Sequence, residues 1–259
     1  MKHHYYPRFA VKRWVDESSL VQPYEWAPDS ANDPIRVLKR KSPKSICSEL
    51  DLYALKNVDE SLRYHVETNF FASKIDEPAS NVLLAIEEKG IKKLDNIEKK
   101  IWSRFIVSIP ARMPETIDKR GISYAQNFLN ENSAEYLDSK REGDPDSFFD
   151  FAEREAPGYV RDTILQAIPR LIMSDDVVNQ LLHMNWWIKK FHNHEILLGD
   201  RPLLSSTDQI NAPCAFNAYD PRHMIALPIS PRAVFFASHS SFTMKQFKKQ
   251  GEGVIALRP

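Results

Sequence analysis

The sequence predicts an α+β fold, in which a mainly helical middle packs on a small, mostly antiparallel sheet formed by N-terminal and C-terminal strands. Apolar residues recur at helical spacing through the middle of the chain, whereas short apolar runs separated by turns follow Asn185. Strands and helices do not alternate regularly, which argues against a doubly wound parallel sheet. No internal repeat or linker is visible, so we expect a single domain over residues 1–259.

The composition is that of an ordinary globular protein, with 42% hydrophobic and 27% charged residues. Thirty-five basic and 35 acidic residues cancel, which excludes a net field that would draw the protein onto nucleic acid. Two local basic segments, 39–44 and 245–249, are nevertheless candidate contacts for nucleic acid or a phosphate-containing ligand. Two cysteines, no signal-peptide pattern and no long apolar run predict a cytoplasmic protein without a membrane partner.

Strands are predicted on both sides of the helical middle. Residues 34–38 are typical of a short strand, and residues 196–198 of a buried strand that ends in the polar corner Gly199-Asp200-Arg201-Pro202. Residues 224–237 form a second apolar segment of the same kind. A buried strand that carries a carboxylate and a guanidinium to its end is a natural place for a functional site.

Helical periodicity predicts a long helix that starts near residue 59 and runs to residue 89, and Pro78 should kink or split it. Further helices are predicted over residues 94–109, 123–137, 160–170 and 175–184. At about 100° per residue, Glu67 and Glu77 fall within one broad face of the long helix. If Glu67 is buried without a partner, its pKa is raised; the alternative is an exposed or arginine-paired glutamate.

No phosphate-loop, dinucleotide-binding, nucleophile-elbow or zincin motif occurs in the sequence. The consecutive residues 192–194, HNH, are interpreted as an ordinary turn; the alternative is a strand in which His192 and His194 share a face and bind a metal ion together. The better candidate site is composite and comprises His3, His4, Glu67, Glu77, Arg112, Asp200 and Arg201. Histidines and carboxylates hold divalent metals or move protons, whereas arginine binds phosphate bidentately.

Five short elements of the chain occur in an order known from one protein family. They are HHYYPRF at 3–9, ETNFFASKIDE at 67–77, RMP at 112–114, GDRP at 199–202 and LPISP at 227–231. In these elements the chain resembles the DUF4238 family, a group of mostly bacterial proteins without an established activity. Gly199 and Arg201 stand where that family usually has serine and asparagine. The resemblance implies that His4, Glu67, Glu77, Arg112 and Asp200 converge in one site.

Two functional hypotheses remain open from the sequence. In the first, the protein is an intracellular metal-dependent hydrolase, such as a nuclease or phosphodiesterase. Asp200 with Glu67 or Glu77 would bind a divalent metal ion, His4 would act as acid or base, and Arg112 would steady the phosphate. In the second, the protein is a non-catalytic binding module whose polar residues form a buried network. In that network Asp200 accepts hydrogen bonds from the backbone amides of its corner, and Arg112 pairs with Glu67.

Overall fold

The computed structural model describes residues 1–27, 35–206 and 223–240. Its strands are β1 (Lys2–His4), β2 (Tyr24–Trp26), β3 (Ile35–Val37), β4 (Ser48–Leu50), β5 (Asn185–Lys190), β6 (Leu204–Ser205), β7 (Met224–Ser230) and β8 (Ala233–Ser238). Its α-helices are α1 (Arg8–Val11), α2 (Glu77–Lys89), α3 (Asn96–Ala111), α4 (Ile122–Glu131), α5 (Ala134–Ser139), α6 (Phe148–Glu155), α7 (Tyr159–Met173) and α8 (Asp175–Leu182). Val66–Asp76 and Thr116–Gly121 are π-helices. The fold is α+β, as predicted.

The strands form three antiparallel sheets within the described ranges. β1 pairs with β4, β2 pairs with β3, and the C-terminal strands form a four-stranded sheet in the order β5-β8-β7-β6. The N-terminal strands therefore pair with one another and do not share a sheet with the C-terminal ones. Each of them is three residues long; β2 pairs with the next strand along the chain, whereas β1 pairs with β4 across the intervening β2 and β3.

The C-terminal sheet is built on the hairpin of β7 and β8, both of which are buried on two sides. Alternate residues of these strands belong to different apolar clusters, as the two-residue period of a strand requires. Leu227 and Phe235 pack in the main core, whereas Ala226 and Phe236 pack with Trp187 on the opposite face. Burial on both faces explains why residues 224–237 are almost continuously apolar.

The prediction of a buried strand at residues 196–198 is wrong, because this segment runs as an irregular loop. Its backbone groups bond outside any strand ladder. The Ile196 amide donates to the Pro231 carbonyl at 2.7 Å, in the turn between β7 and β8. The Ile196 carbonyl accepts the Trp14 indole N–H at 2.9 Å. The polar corner at Asp200 is therefore the end of a loop.

Helix α3 joins the helical layer to the sheet. It begins with a capping box, in which Asp95 and Glu98 accept each other's backbone N–H groups at 2.8 Å. Its buried Trp102 meets Phe235 of β8 edge to face, with ring centroids 5.9 Å apart. The helix continues one residue beyond Pro110 and ends at Ala111, so that Arg112 is its C-cap.

Two predicted helices differ from the structure. The long helix is not split at Pro78: the π-helix Val66–Asp76 continues directly into α2, and Pro78 lies in the first turn of α2, where the change of winding occurs. The predicted helix over 123–137 is divided into α4 and α5. At the break, the Asn132 side chain donates to the Phe128 carbonyl at 2.9 Å and the Ser133 hydroxyl to the Asn130 carbonyl at 2.8 Å. Such side-chain bonds compete with continued helix.

Within the described residues, no helix has the length and hydropathy that crossing a membrane requires.

His3 of β1 is a fully buried histidine that fastens the N-terminal segment to the core. Its Nδ1 accepts the Tyr53 backbone N–H at 2.7 Å, and its ring stacks on the Tyr53 ring with centroids 5.4 Å apart. Burial is the main cause that lowers the pKa of His3 to about 4. The folded protein therefore requires a neutral imidazole at this position.

We predict that acid destabilises the protein through His3. The unfolded chain binds the proton near pH 6.5, so the stability that His3 contributes is complete above that pH and is lost as the pH falls towards 4. Between about pH 7.5 and pH 4.5 this loss amounts to roughly 2–3 kcal/mol. Urea unfolding of wild type and His3→Asn measures it, because the asparagine oxygen still accepts the Tyr53 N–H. The exposed His65→Asn is the matched control; an equal pH dependence in wild type and His3→Asn contradicts the prediction.

Candidate functional site

A cavity of about 380 Å³ opens between the N-terminal segment, the π-helix Val66–Asp76 and the start of α2. The residues that line it are His4, Pro7, Arg8, Phe9, Glu67, Ala72, Asp76, Glu77, Ser80 and Asn81. Three of the predicted site residues, His4, Glu67 and Glu77, thus share one cavity. The structure adds two charged residues that the sequence did not single out, Arg8 and Asp76.

The π-helix decides which side chains meet in this cavity. Asp76 lies nine positions after Glu67 in the chain. Nine α-helical steps of about 100° would place the two residues on opposite sides of a helix. A π-helix bonds residue i to i+5 and takes roughly four and a half residues per turn, so nine residues make two turns. Glu67 and Asp76 therefore line the same cavity. An analysis at α-helical spacing misses Asp76 for this reason.

Arg112 lies behind the cavity and is held by Asp76. The arginine is 0% exposed, and its Nη1 and Nη2 donate to the two Asp76 carboxylate oxygens at 3.2 and 2.9 Å. Its Cζ lies 4.2 Å from the centroid of the Phe71 ring. Its carbonyl accepts the Tyr53 hydroxyl at 2.8 Å. The ion pair is thus Arg112–Asp76, in place of the Arg112–Glu67 pair that the network hypothesis expected.

Two residues that line the cavity carry a buried polar atom without a hydrogen-bond partner in the described part of the chain. They are His4, through Nε2, and Glu67, through Oε2. Arg112 Nε is a third such atom, behind Asp76. Buried polar atoms in folded proteins are normally bonded, and an exception in a cavity marks a place where water or a ligand completes the bonds.

The cavity shifts the protonation of these two residues in opposite directions. Burial raises the pKa of Glu67 to about 7; the charge of Asp76 adds to this rise and Arg112 opposes it. Burial, and next the charge of Arg8, lower the pKa of His4. Near neutral pH the histidine is therefore unprotonated, while the glutamic acid still holds its proton about half of the time.

Nε2 is the ring nitrogen of His4 that is buried without a hydrogen-bond partner. The backbone of Pro43 and Lys44 lies close to the ring and favours its protonated form, but burial outweighs this effect. In the tautomer that carries its hydrogen on Nδ1, Nε2 has a free lone pair and can accept a proton.

Asp200 lies outside the lining of this cavity. Its side chain is exposed, whereas the network hypothesis makes it an acceptor of backbone amide bonds in a buried network. Its charge acts on Cys47: burial first and the charge of Asp200 second raise the pKa of that thiol to about 11. Its neighbour Arg201 pairs with Glu115. The structure thus separates Asp200 from the cavity that His4 and Glu67 share.

The predicted metal ligands Glu67, Glu77 and Asp200 are consequently divided, since two line the cavity and the third does not. Among residues 1–27, 35–206 and 223–240, no three histidine, cysteine or acidic side chains are grouped closely enough to hold a metal ion. A divalent metal ion stays a prediction of the sequence.

The fold and the site together define an α+β protein with a histidine and a glutamic acid in one partly buried cavity. The family model described as "Protein of unknown function (DUF4238)" matches residues 2–255. The chain therefore belongs to the DUF4238 family, which confirms the resemblance seen in its short elements. No curated protein and no solved structure matches the chain.

We predict that Asp76→Asn destabilises the fold strongly. It removes the counter-charge of a fully buried guanidinium, and breaking a buried ion pair in this way costs about 3–5 kcal/mol. Glu77→Gln is the matched control, because Glu77 is the next residue and its side chain is exposed. We expect it to change the free energy of unfolding by less than about 0.5 kcal/mol. Chemical denaturation of both variants checks this. Similar unfolding free energies for Asp76→Asn and wild type would show that the pair contributes nothing.

Proposed function

We propose that the protein is a hydrolase that works by general acid–base catalysis in the cavity lined by His4 and Glu67. The observation that carries the proposal is that both residues present a buried, unpaired polar atom in one cavity. The cavity also lowers the pKa of His4 and raises the pKa of Glu67. The pKa of the glutamic acid is therefore higher than that of the histidine, the reverse of their usual order. Paired titratable groups with opposite shifts are the pattern by which enzymes separate a base from an acid.

The proposed reaction divides the two proton transfers between these residues. Nε2 of His4 accepts a proton from a water molecule as the water oxygen bonds to the electrophilic atom of the substrate. The bond to the leaving group breaks, and the carboxyl of Glu67 gives its proton to the departing atom. His4 then holds one proton and Glu67 lacks one, so a single proton transfer through solvent restores the starting state.

Phosphoester cleavage, by a nuclease or phosphodiesterase, is the first substrate class within this proposal. The basic segment 39–44 supports it, because the backbone of Pro43 and Lys44 lies against the His4 ring. Segment 245–249 lies outside the described residues. Of the predicted metal ligands in this cavity, Glu77 would hold Mg²⁺ or Mn²⁺, because a Glu67 bound to a metal ion would lack the proton that it donates. A cytoplasmic location, argued from composition, belongs to the same proposal.

We predict that Glu67→Gln and His4→Gln each lower kcat by about 10²–10⁴-fold, since each removes one positioned proton-transfer group. The measurement is cleavage of DNA, RNA, bis(p-nitrophenyl) phosphate and p-nitrophenyl acetate, with Mg²⁺ or Mn²⁺ and with EDTA. Glu88→Gln is the matched control, because Glu88 is an exposed glutamate of α2 that does not line the cavity. Background rates for wild type on every substrate, or wild-type rates for both variants, would refute the proposal.

The proposal also predicts a bell-shaped pH dependence of kcat/KM. His4 must be unprotonated, so the rate falls as the pH drops through its lowered pKa. Glu67 must be protonated, so the rate falls as the pH rises through about 7. The maximum therefore lies on the slightly acid side of neutrality, and assays across that range locate it. A rate that keeps rising up to about pH 9 contradicts these roles.

The second candidate function, a non-catalytic binding module, is favoured by one observation. Arg112, Asp76 and Tyr53 form a buried polar network that stabilises the fold whether or not chemistry takes place beside it. Glu67→Gln separates the two candidates. An unpaired carboxyl kept for function costs stability, so its replacement leaves the unfolding free energy unchanged or raises it. A loss of several kcal/mol would instead identify Glu67 as part of the structural network.

A further inference from the structure

We propose that Arg8 recognises an oxyanion group of the ligand, so that the cavity takes a phosphate ester or a carboxylate in preference to an uncharged molecule. The inference deepens the proposed function and rests on it for the location of the site. In the sequence hypothesis this role belonged to Arg112.

Arg112 is excluded from that role by its surroundings. It is 0% exposed, both of its terminal nitrogens are engaged by Asp76, and it is not among the residues that line the cavity. A ligand could reach it only by displacing Asp76. Arg112 therefore acts as a counter-ion within the protein.

Arg8 has the opposite properties. It begins α1 directly after Pro7, its side chain is exposed, and it lines the same cavity as His4 and Glu67. No carboxylate within the described ranges forms an ion pair with it, whereas Arg13, further along the same segment, is paired with Glu87. A free guanidinium at a cavity presents a planar set of donors that matches phosphate and carboxylate oxygens.

The other charged residues around the cavity do not prevent an anion from binding to Arg8. Asp76 is neutralised by Arg112. Glu67 is protonated for about half of the time near pH 7. Glu77, exposed at the start of α2, is the remaining lining carboxylate, and it also lacks an ion pair in the described part of the chain. Arg8 and Glu77 thus offer opposite charges, and Arg8 is the lining residue to which an oxyanion binds.

Arg8 lies close enough to His4 for its charge to act on the imidazole. After burial, it is the largest influence that lowers the pKa of His4. Asp76 and the carbonyls of Pro43 and Lys44 act in the opposite direction. An oxyanion bound to Arg8 would offset the guanidinium charge and raise the pKa of His4. Ligand binding and base strength are then coupled through one electrostatic contact.

This coupling provides a test that needs no enzymatic activity. The full chain is titrated by NMR through the His4 ring resonance, which is identified among eight histidines by its loss in His4→Gln. The probes are dimethyl phosphate, for a phosphodiester, and acetate, for a carboxylate, each at constant ionic strength with chloride as the reference. We expect at least one probe to raise the pKa of His4 saturably, by roughly half a unit to one unit.

The Arg8→Gln variant carries the second half of the test. Without the guanidinium, the pKa of His4 is higher before any probe is added, and the affinity for the probe falls by about tenfold or more. Lys12→Gln is the matched control, because Lys12 is an exposed cation four positions along the chain that does not line the cavity. It should behave as wild type.

The outcomes separate the ligand classes and the two proposals. A response to dimethyl phosphate alone identifies a phosphate ester, and a response to acetate alone a carboxylate. The inference is overturned if the pKa of His4 is the same with both probes as with chloride. It is also overturned if the probes shift the pKa of His4 equally in Arg8→Gln and in wild type. Saturable binding through Arg8 without hydrolysis would leave this inference standing and remove the proposed hydrolase activity.

Discussion

The ion pair between Arg112 and Asp76 is the interaction on which the arrangement of the site depends. The guanidinium of Arg112 has no exposed surface, so it needs a counter-charge inside the protein. A buried ion pair itself adds little stability, but an unpaired buried charge destabilises the fold strongly. Arg112 ends α3 and Asp76 ends the π-helix, so their bond fixes one helical segment against the other. This bond therefore fixes the wall of the cavity that lies opposite the N-terminal segment. Glu67 is part of that wall, and the arginine is bonded to Asp76 instead of to Glu67.

The same pair also acts on the protonation of Glu67. Burial raises the pKa of Glu67, and Arg112 opposes this rise more strongly than Asp76 adds to it. At His4, burial lowers the pKa and the charge of Arg8 adds to this effect. Burial is therefore the main cause that prepares an acid and a base for the proposed reaction, and the neighbouring charges adjust its effect.

The fold class and most helices were predictable because they depend on periodicity and on proline, which act locally. The change of helix type beside Pro78 and the end of α3 beside Pro110 are of this kind. The loop at Ile196 was mistaken for a strand because an apolar run shows burial but not which groups its backbone bonds to; here the partners are a hairpin turn and the Trp14 indole. His4, Glu67 and Glu77 were brought together by family resemblance, whereas Asp76 and Arg8 depend on helix winding and on a short N-terminal turn that no local pattern reveals.

The winding of Val66–Asp76 makes the site sensitive to chain length as well as to residue type. A π-helix is the way in which a helical segment accommodates additional residues per turn, and two of its turns span the distance between the two carboxyls. Loss of a single residue between Glu67 and Asp76 would preserve every functional side chain in the sequence and yet rotate one carboxyl by roughly a quarter of a turn relative to the other. Among related proteins, the number of residues between these two positions is therefore as informative about the site as the identity of the residues themselves.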